Sequence, residues 1–239
     1  MMVLYGFKYF RHSYLFPASS APSWAQKVDR WHQLDAYSFG MIDAYASHHG
    51  ELATPDLILL ASPSASNDID RQFVLSGAKS PLKMVHTLPN IRCSPLVKFM
   101  RWGGPVLCLQ KDPQTLLTAL LEGLDFLGPC CRNVMIWGAA NESFFPRLEE
   151  HTTPPPPRDG VSPFAVHIFS LTFLASEAKK DNGSPPYIIR RSTSDLSLSC
   201  PDDRFLVDWL LEPGPKKNFI VNPETTISHS IHGGPPCPT

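Results

Sequence analysis

Residues 103–126, GGPVLCLQKDPQTLLTALLEGLDF, limit what this chain can fold into more than any other stretch. A short apolar run, 106–109, stops at Gln110-Lys111. Asp112-Pro113 then open a run with leucines at 116, 117, 120, 121 and 124. Spacing by three and four is the period of an α-helix. An aspartate suits the N-cap, where its carboxylate accepts from unpaired first-turn amides. A proline suits the first helical position, because no donor is missed there and φ is already set. The stretch therefore reads as a buried strand, a tight turn and a helix capped by Asp112. A helix start favours negative charge and lowers a thiol's pKa, so chemistry is often placed at such a turn.

The flanking sequence supplies more strands and helices of the same kind. Residues 3–10 alternate and are aromatic, which predicts a strand. Residues 25–46 carry the helical stripe Trp31, Leu34, Tyr37, Met41, Ile42 and Tyr45. A continuous apolar run at 57–61 fits a strand covered on both faces. Residues 62–68 read as a turn, 69–74 as a short helix and 81–88 as a strand or extended segment. Ser94-Pro95 predict a helix over 96–102, stopped by Gly103-Gly104. NVMIW at 133–137 predicts another buried strand. Strands alternating with helices through residue 140 argue a layered α/β domain with a mostly parallel central sheet. Further on, 164–174 and 187–190 read as strands, and 205–211 as a short helix or strand. Of 239 residues 25 are proline, many of them after residue 150. The expected organisation is a domain over 1–190 and an irregular Pro/Gly/Ser-rich extension over 191–239 that docks on the domain or on a partner.

With 43% hydrophobic residues the chain can bury a large core. A net charge of −1 argues against a nucleic-acid surface. No apolar run approaches the ~20 residues that span a bilayer, and the first sixteen residues lack a signal peptide's uninterrupted apolar core. Six cysteines show no CxxC pair, so a reduced, cytoplasmic setting is expected. His48-His49-Gly50-Glu51 invites a metal or acid/base reading. Adjacent side chains point apart, however, and histidines that complement a helix C-terminus explain the motif as well. Cys108, inside a predicted buried strand, reads as a small core residue. No GxSxG elbow, phosphate loop or metal-ligand pattern is present. No catalytic residue, cofactor or metal is expected from these motifs.

Taken together and in order, residues 31–190 resemble the N-terminal half of β-ketoacyl synthases, condensing enzymes with the thiolase fold. HTLPNIRCSPLVKFMRWGGP looks like that family's Pro-x-Asn segment, helix and Gly-Pro. GPVLCLQKDPQTLLTAL is similar to its strand, cysteine turn and helix, and ends in the same Leu-x-Ala-Leu. NVMIWGAANE is similar to the strand ending in Gly-Gly-Ala-Glu, and residues 164–179 look like the strand and turn that follow the family's acidic loop. The chain departs from the family where the nucleophilic cysteine belongs. Counted without gaps that position is Pro113, and with a one-residue slip it is Gln114. The family's second half, with its two assisting histidines, has no counterpart in these 239 residues. His229 and His232 lie in a context that does not match.

A relative of condensing enzymes without its cysteine resembles the chain-length factors of type II polyketide synthases. The resemblance implies a subunit that pairs with a ketosynthase, meets an acyl carrier protein indirectly and lines part of the chain tunnel. On this reading Asn90, Leu96, Phe99, Met100, Leu107, Cys108, Leu109 and Gln110 form the tunnel wall or partner interface, and Pro113 and Gln114 are remnants of the nucleophile position. Leu96, Phe99 and Met100 fit equally well as filling for this chain's own core. Two further readings stay open. One is a malonyl-thioester decarboxylase of the glutamine-type ketosynthase kind, with Gln114 as oxyanion donor. The other is a stand-alone acyl or acyl-carrier binding module.

Overall fold

The sheet is organised on its longest strand, β1 (Val3–Phe16), which pairs antiparallel with β5 (Ser162–Leu174) from Leu4↔Leu174 to Phe16↔Ser162. The computed structural model describes residues 3–61, 74, 89–109, 114–141, 162–174, 187–191, 203–211, 218–222 and 225–229. Expectations for 62–68, for the helix at 69–74 (apart from residue 74) and for 81–88 lie outside these residues.

The remaining strands are β2 (Leu57–Ala61), β3 (Val106–Leu109), β4 (Asn133–Asn141), β6 (Tyr187–Arg191), β7 (Asn218–Asn222) and β8 (Thr225–His229). Their order across one eight-stranded sheet is β3-β2-β4-β5-β1-β6-β8-β7. Helices α1 (Ala36–His48) and α2 (Pro89–Met100) lie on one face. Helices α3 (Thr115–Phe126) and α4 (Asp203–Leu211) lie on the other. Each central strand divides its side chains between the two cores, as the period of two requires. Val134 and Ile136 of β4 join the α3/α4 core, while Met135 and Trp137 join the α1/α2 core.

The layered α/β class is as expected, but the sheet is mixed and not mostly parallel. Among the described residues only β3–β2 and β2–β4 run parallel; the other pairings are antiparallel. Parallel neighbours need a crossover between them, and among the described residues the helical crossovers that join parallel strands of the sheet lie between β2 and β4. The expected irregular tail also differs. Residues beyond 191 supply α4 and the two strands β8 and β7, which extend the sheet past β6.

Two helix starts differ from the sequence reading. The stripe from 25 begins with two short 3-10 turns, and α1 itself starts after Asp35. There the Asp35 carboxylate accepts from the Tyr37 and Ser38 amides at 2.9 and 3.1 Å. Ser94-Pro95 do not open α2. The helix begins at Pro89, with Pro95 inside it. Its end is a left-handed turn at Arg101, φ 54°, where the Arg101 amide donates to Lys98 O and the Trp102 amide to Val97 O. That pair of bonds is a Schellman motif, whose left-handed position is usually glycine.

On the α1 side, Asp43 accepts from the Trp24 indole at 2.7 Å and meets His12 Nε2 at 2.8 Å, tying α1 to β1. Gly40 is required here, because a Cβ would collide with the ring of Tyr14, whose hydroxyl donates to Ala36 O.

Candidate functional site at the start of α3

The turn after β3 delivers α3 with its first residues buried. Thr115, Leu116 and Leu117 are all nearly inaccessible. Gln114 is the N-cap, with φ −115° and ψ 30° and no side-chain cap bond, and its carbonyl accepts the first helical bond from Thr118 N. Residues 110–113, and with them Gln110, Asp112 and Pro113, lie outside the described residues. Among the described residues the carboxylate that caps this first turn is that of Asp203. The Leu116 amide donates to Asp203 Oδ2 at 2.7 Å and the Leu117 amide to Asp203 Oδ1 at 2.9 Å. Asp203 opens α4, is only 3% exposed, and reaches the start of α3 from the other end of the sequence. Sequence reasoning missed it because a cap is recognised by its place before a helix, and this one is far away in the chain. The signal available was an acidic residue just before the apolar run at 205–211.

Beneath this helix start lies a polar pair inside the sheet. His167 of β5 is 2% exposed, and its Nδ1 lies 2.8 Å from the Tyr9 hydroxyl of β1, with the two rings stacked. Burial, aided by the nearby Arg11 charge, lowers its pKa to about 4, so the imidazole is neutral at pH 7. A neutral Nδ1 without a proton accepts from the phenol. Gly138 of β4 pairs with His167, and a Cβ there would strike Leu116. That glycine lets the first turn of α3 sit directly on the sheet.

The start of α3 thus has its charge preference already met. Two first-turn amides, which could otherwise hold an anion or a developing oxyanion, are committed to an internal carboxylate. Among the described residues, no group of three or more His, Cys, Asp and Glu side chains could hold a metal. No helix of the described residues is long and apolar enough to cross a membrane.

The other predicted site residues fall on β3 and α2. β3 is a sheet edge and not a buried strand, which corrects the reading of Cys108 as core. Among the described residues it pairs with β2 alone, Leu107 is 40% exposed and Cys108 is exposed. Leu109 is half-buried against the α3/α4 core. On α2, Leu96 is fully buried in the chain's own core. Phe99 and Met100 pack on that core with part of their surface outward. Phe99 meets Trp24 and Tyr45 edge-on. Asn90 lies in the first turn of α2. His48 and His49 end α1; His49 Nδ1 bonds the Ala46 carbonyl, and His48 faces Glu51 at 3.6 Å.

No family model matches this chain, and no curated protein sequence matches it. Among solved structures the fold is similar to a chain of the ketosynthase ApeO in complex with its chain length factor ApeC, from Xenorhabdus doucetiae. The TM-score is 0.55 at 17% identity, over 89% of this chain and 84% of that one, so the two chains are close in length. The layered architecture expected from the condensing-enzyme resemblance is therefore that of a known structure.

Proposed function

We propose that this chain is a non-catalytic, chain-length-factor-like subunit that pairs with a β-ketoacyl synthase and helps to shape the tunnel holding a growing polyketide. The observation that carries this reading is the occupied start of α3. Acyl transfer in a condensing enzyme needs a thiolate at such a helix start and free donors for the oxyanion. Here Gln114 and a buried Thr115 stand at the start, and Asp203 holds the Leu116 and Leu117 amides. A second negative charge arriving about 4 Å from that carboxylate would be opposed by roughly 4 kcal/mol at the effective dielectric near a protein surface. The geometry is stable as it stands and hostile to an anionic intermediate.

Pairing is supported by β3. An apolar strand with one side unpaired among the described residues and outward Leu107 and Cys108 offers both backbone hydrogen bonds and apolar surface to a neighbour. A cytoplasmic setting and an indirect meeting with an acyl carrier protein belong to the same proposal. The test is co-expression of the chain with a ketosynthase from its own genomic neighbourhood. A stoichiometric complex is expected by size-exclusion chromatography. A soluble monomer that ignores the ketosynthase would overturn the proposal. Acetyl-thioester formation from a malonyl thioester by the isolated chain, lost in Gln114→Ala, would favour the decarboxylase instead.

A further inference from the structure

At the opposite end of the parallel strands from the start of α3, the C-terminal ends of α1 and α2 and the loop leading into β2 enclose a cavity of about 230 Å³. This is smaller than the ~300–1,000 Å³ of sites for drug-sized ligands. Its apolar wall includes Leu52, Met100 and Trp102, and its polar groups include His49, Thr54 and Arg101; no acidic side chain lines it.

Three features of this wall bear on what it could bind. Arg101 holds the left-handed position that ends α2, where glycine would be unstrained. Its side chain is exposed, and its guanidinium has no ion-pair or hydrogen-bond partner among the described residues, so it is open to a ligand at the rim. The neighbouring Trp102 indole N–H is buried and also lacks an acceptor there, an uncommon state for a buried donor. His49 spends Nδ1 on the Ala46 carbonyl, which leaves Nε2 available. A cation at a helix C-terminus does complement the dipole, but that role needs neither a cavity nor an unpaired indole.

We infer that this cavity binds a small organic carboxylate whose apolar body lies against Leu52, Met100 and Trp102. The carboxylate forks onto the Arg101 guanidinium, a pairing whose planar geometry favours carboxylate over a point anion. Trp102 lines the same wall, and its indole N–H reports on what occupies it. Binding here is independent of the chemistry argued for the start of α3.

The test titrates the full chain with benzoate, and in parallel with benzamide as the uncharged isostere, following the Trp102 indole N–H resonance. Trp102→Phe identifies that resonance among the five indoles. The second variant is Arg101→Gly, which removes the guanidinium and keeps the turn, because glycine adopts the left-handed conformation freely. The expected result is a saturable shift with benzoate, little response to benzamide, and at least ten-fold weaker benzoate binding in a folded Arg101→Gly chain. No saturable response to benzoate, equal binding of benzamide, or undiminished binding in Arg101→Gly would each overturn the inference.

Discussion

Asp203 shows how much one side chain can decide. Its carboxylate is buried and satisfies two amides that have no other intrahelical partner. Asp203→Ala strands both donors in the core, and a lost cap together with buried unpaired donors costs about 2–4 kcal/mol. Asp203→Asn keeps one acceptor oxygen and should cost roughly half as much. Urea unfolding midpoints will separate the two variants. His167 gives a second prediction, in pH. Its folded pKa of about 4 lies below the ordinary 6.5, so below pH 6.5 the unfolded chain takes up a proton that the native chain refuses. Stability therefore falls as pH drops from about 6.5 to 4, by up to roughly 3 kcal/mol, and this contribution levels off below that. Asp43, whose pKa is lowered through bonds from His12 and Trp24 against the opposing effect of burial, acts in a separate window. Its contribution is present above the ordinary carboxylate pKa and is lost on further acidification through its lowered value. Denaturant titrations between pH 7 and 4 should show the His167 slope in the native chain and lose it in His167→Gln.

Elements built on local period were legible from the residues, and elements defined by their neighbours were not. Residues 57–61 read as a doubly covered strand because every one is apolar, and each is buried. The leucine stripe predicted α3 to within a turn, because a helix records its buried face in its own spacing. β3 is apolar too, yet it sits at the edge; nothing in four apolar residues says which side of a sheet they will occupy. The same blindness hid the acceptor of the α3 cap, and it left open whether Leu96 fills its own core. At the start of α3 the absence of a thiol at 113 and 114 was readable, while His167 and Tyr9 converge there through sheet pairing and Asp203 through the packing of α4 beside α3. The edge strand carries its own prediction. Because Leu107 already contacts water, Leu107→Lys should change folding stability by no more than about 0.5 kcal/mol. It should nevertheless abolish co-purification with the ketosynthase, since a charge on an exposed edge blocks strand addition. Thermal melts and pull-downs on the same preparation check both halves.

At the scale of the molecule, the sheet joins what the composition divides. The proline-rich stretch beyond residue 150 contains the strand that pairs with β1 along its length, and α4 and β8 contribute Leu206 and Ile227 to the same core as α3. A chain cut after residue 191 would lose α4, β7, β8 and the Asp203 carboxylate at once. Its β6 would become a bare edge, and the α3 core would be open to water. The expected outcome is loss of cooperative urea unfolding and of solubility, measured against the full chain under the same conditions.

The place of β1 in the sheet also bears on how the chain is made. Its two neighbours, β5 and β6, begin at Ser162 and Tyr187, so this strand leaves the ribosome long before either partner. At the ~5–20 residues per second of synthesis, roughly ten seconds or more pass with an aromatic, unpaired β-strand exposed. A chain wired in this way depends on being held during its own translation. Its yield in a cell is set by what shelters Val3–Phe16 during that interval as much as by the stability of the finished fold.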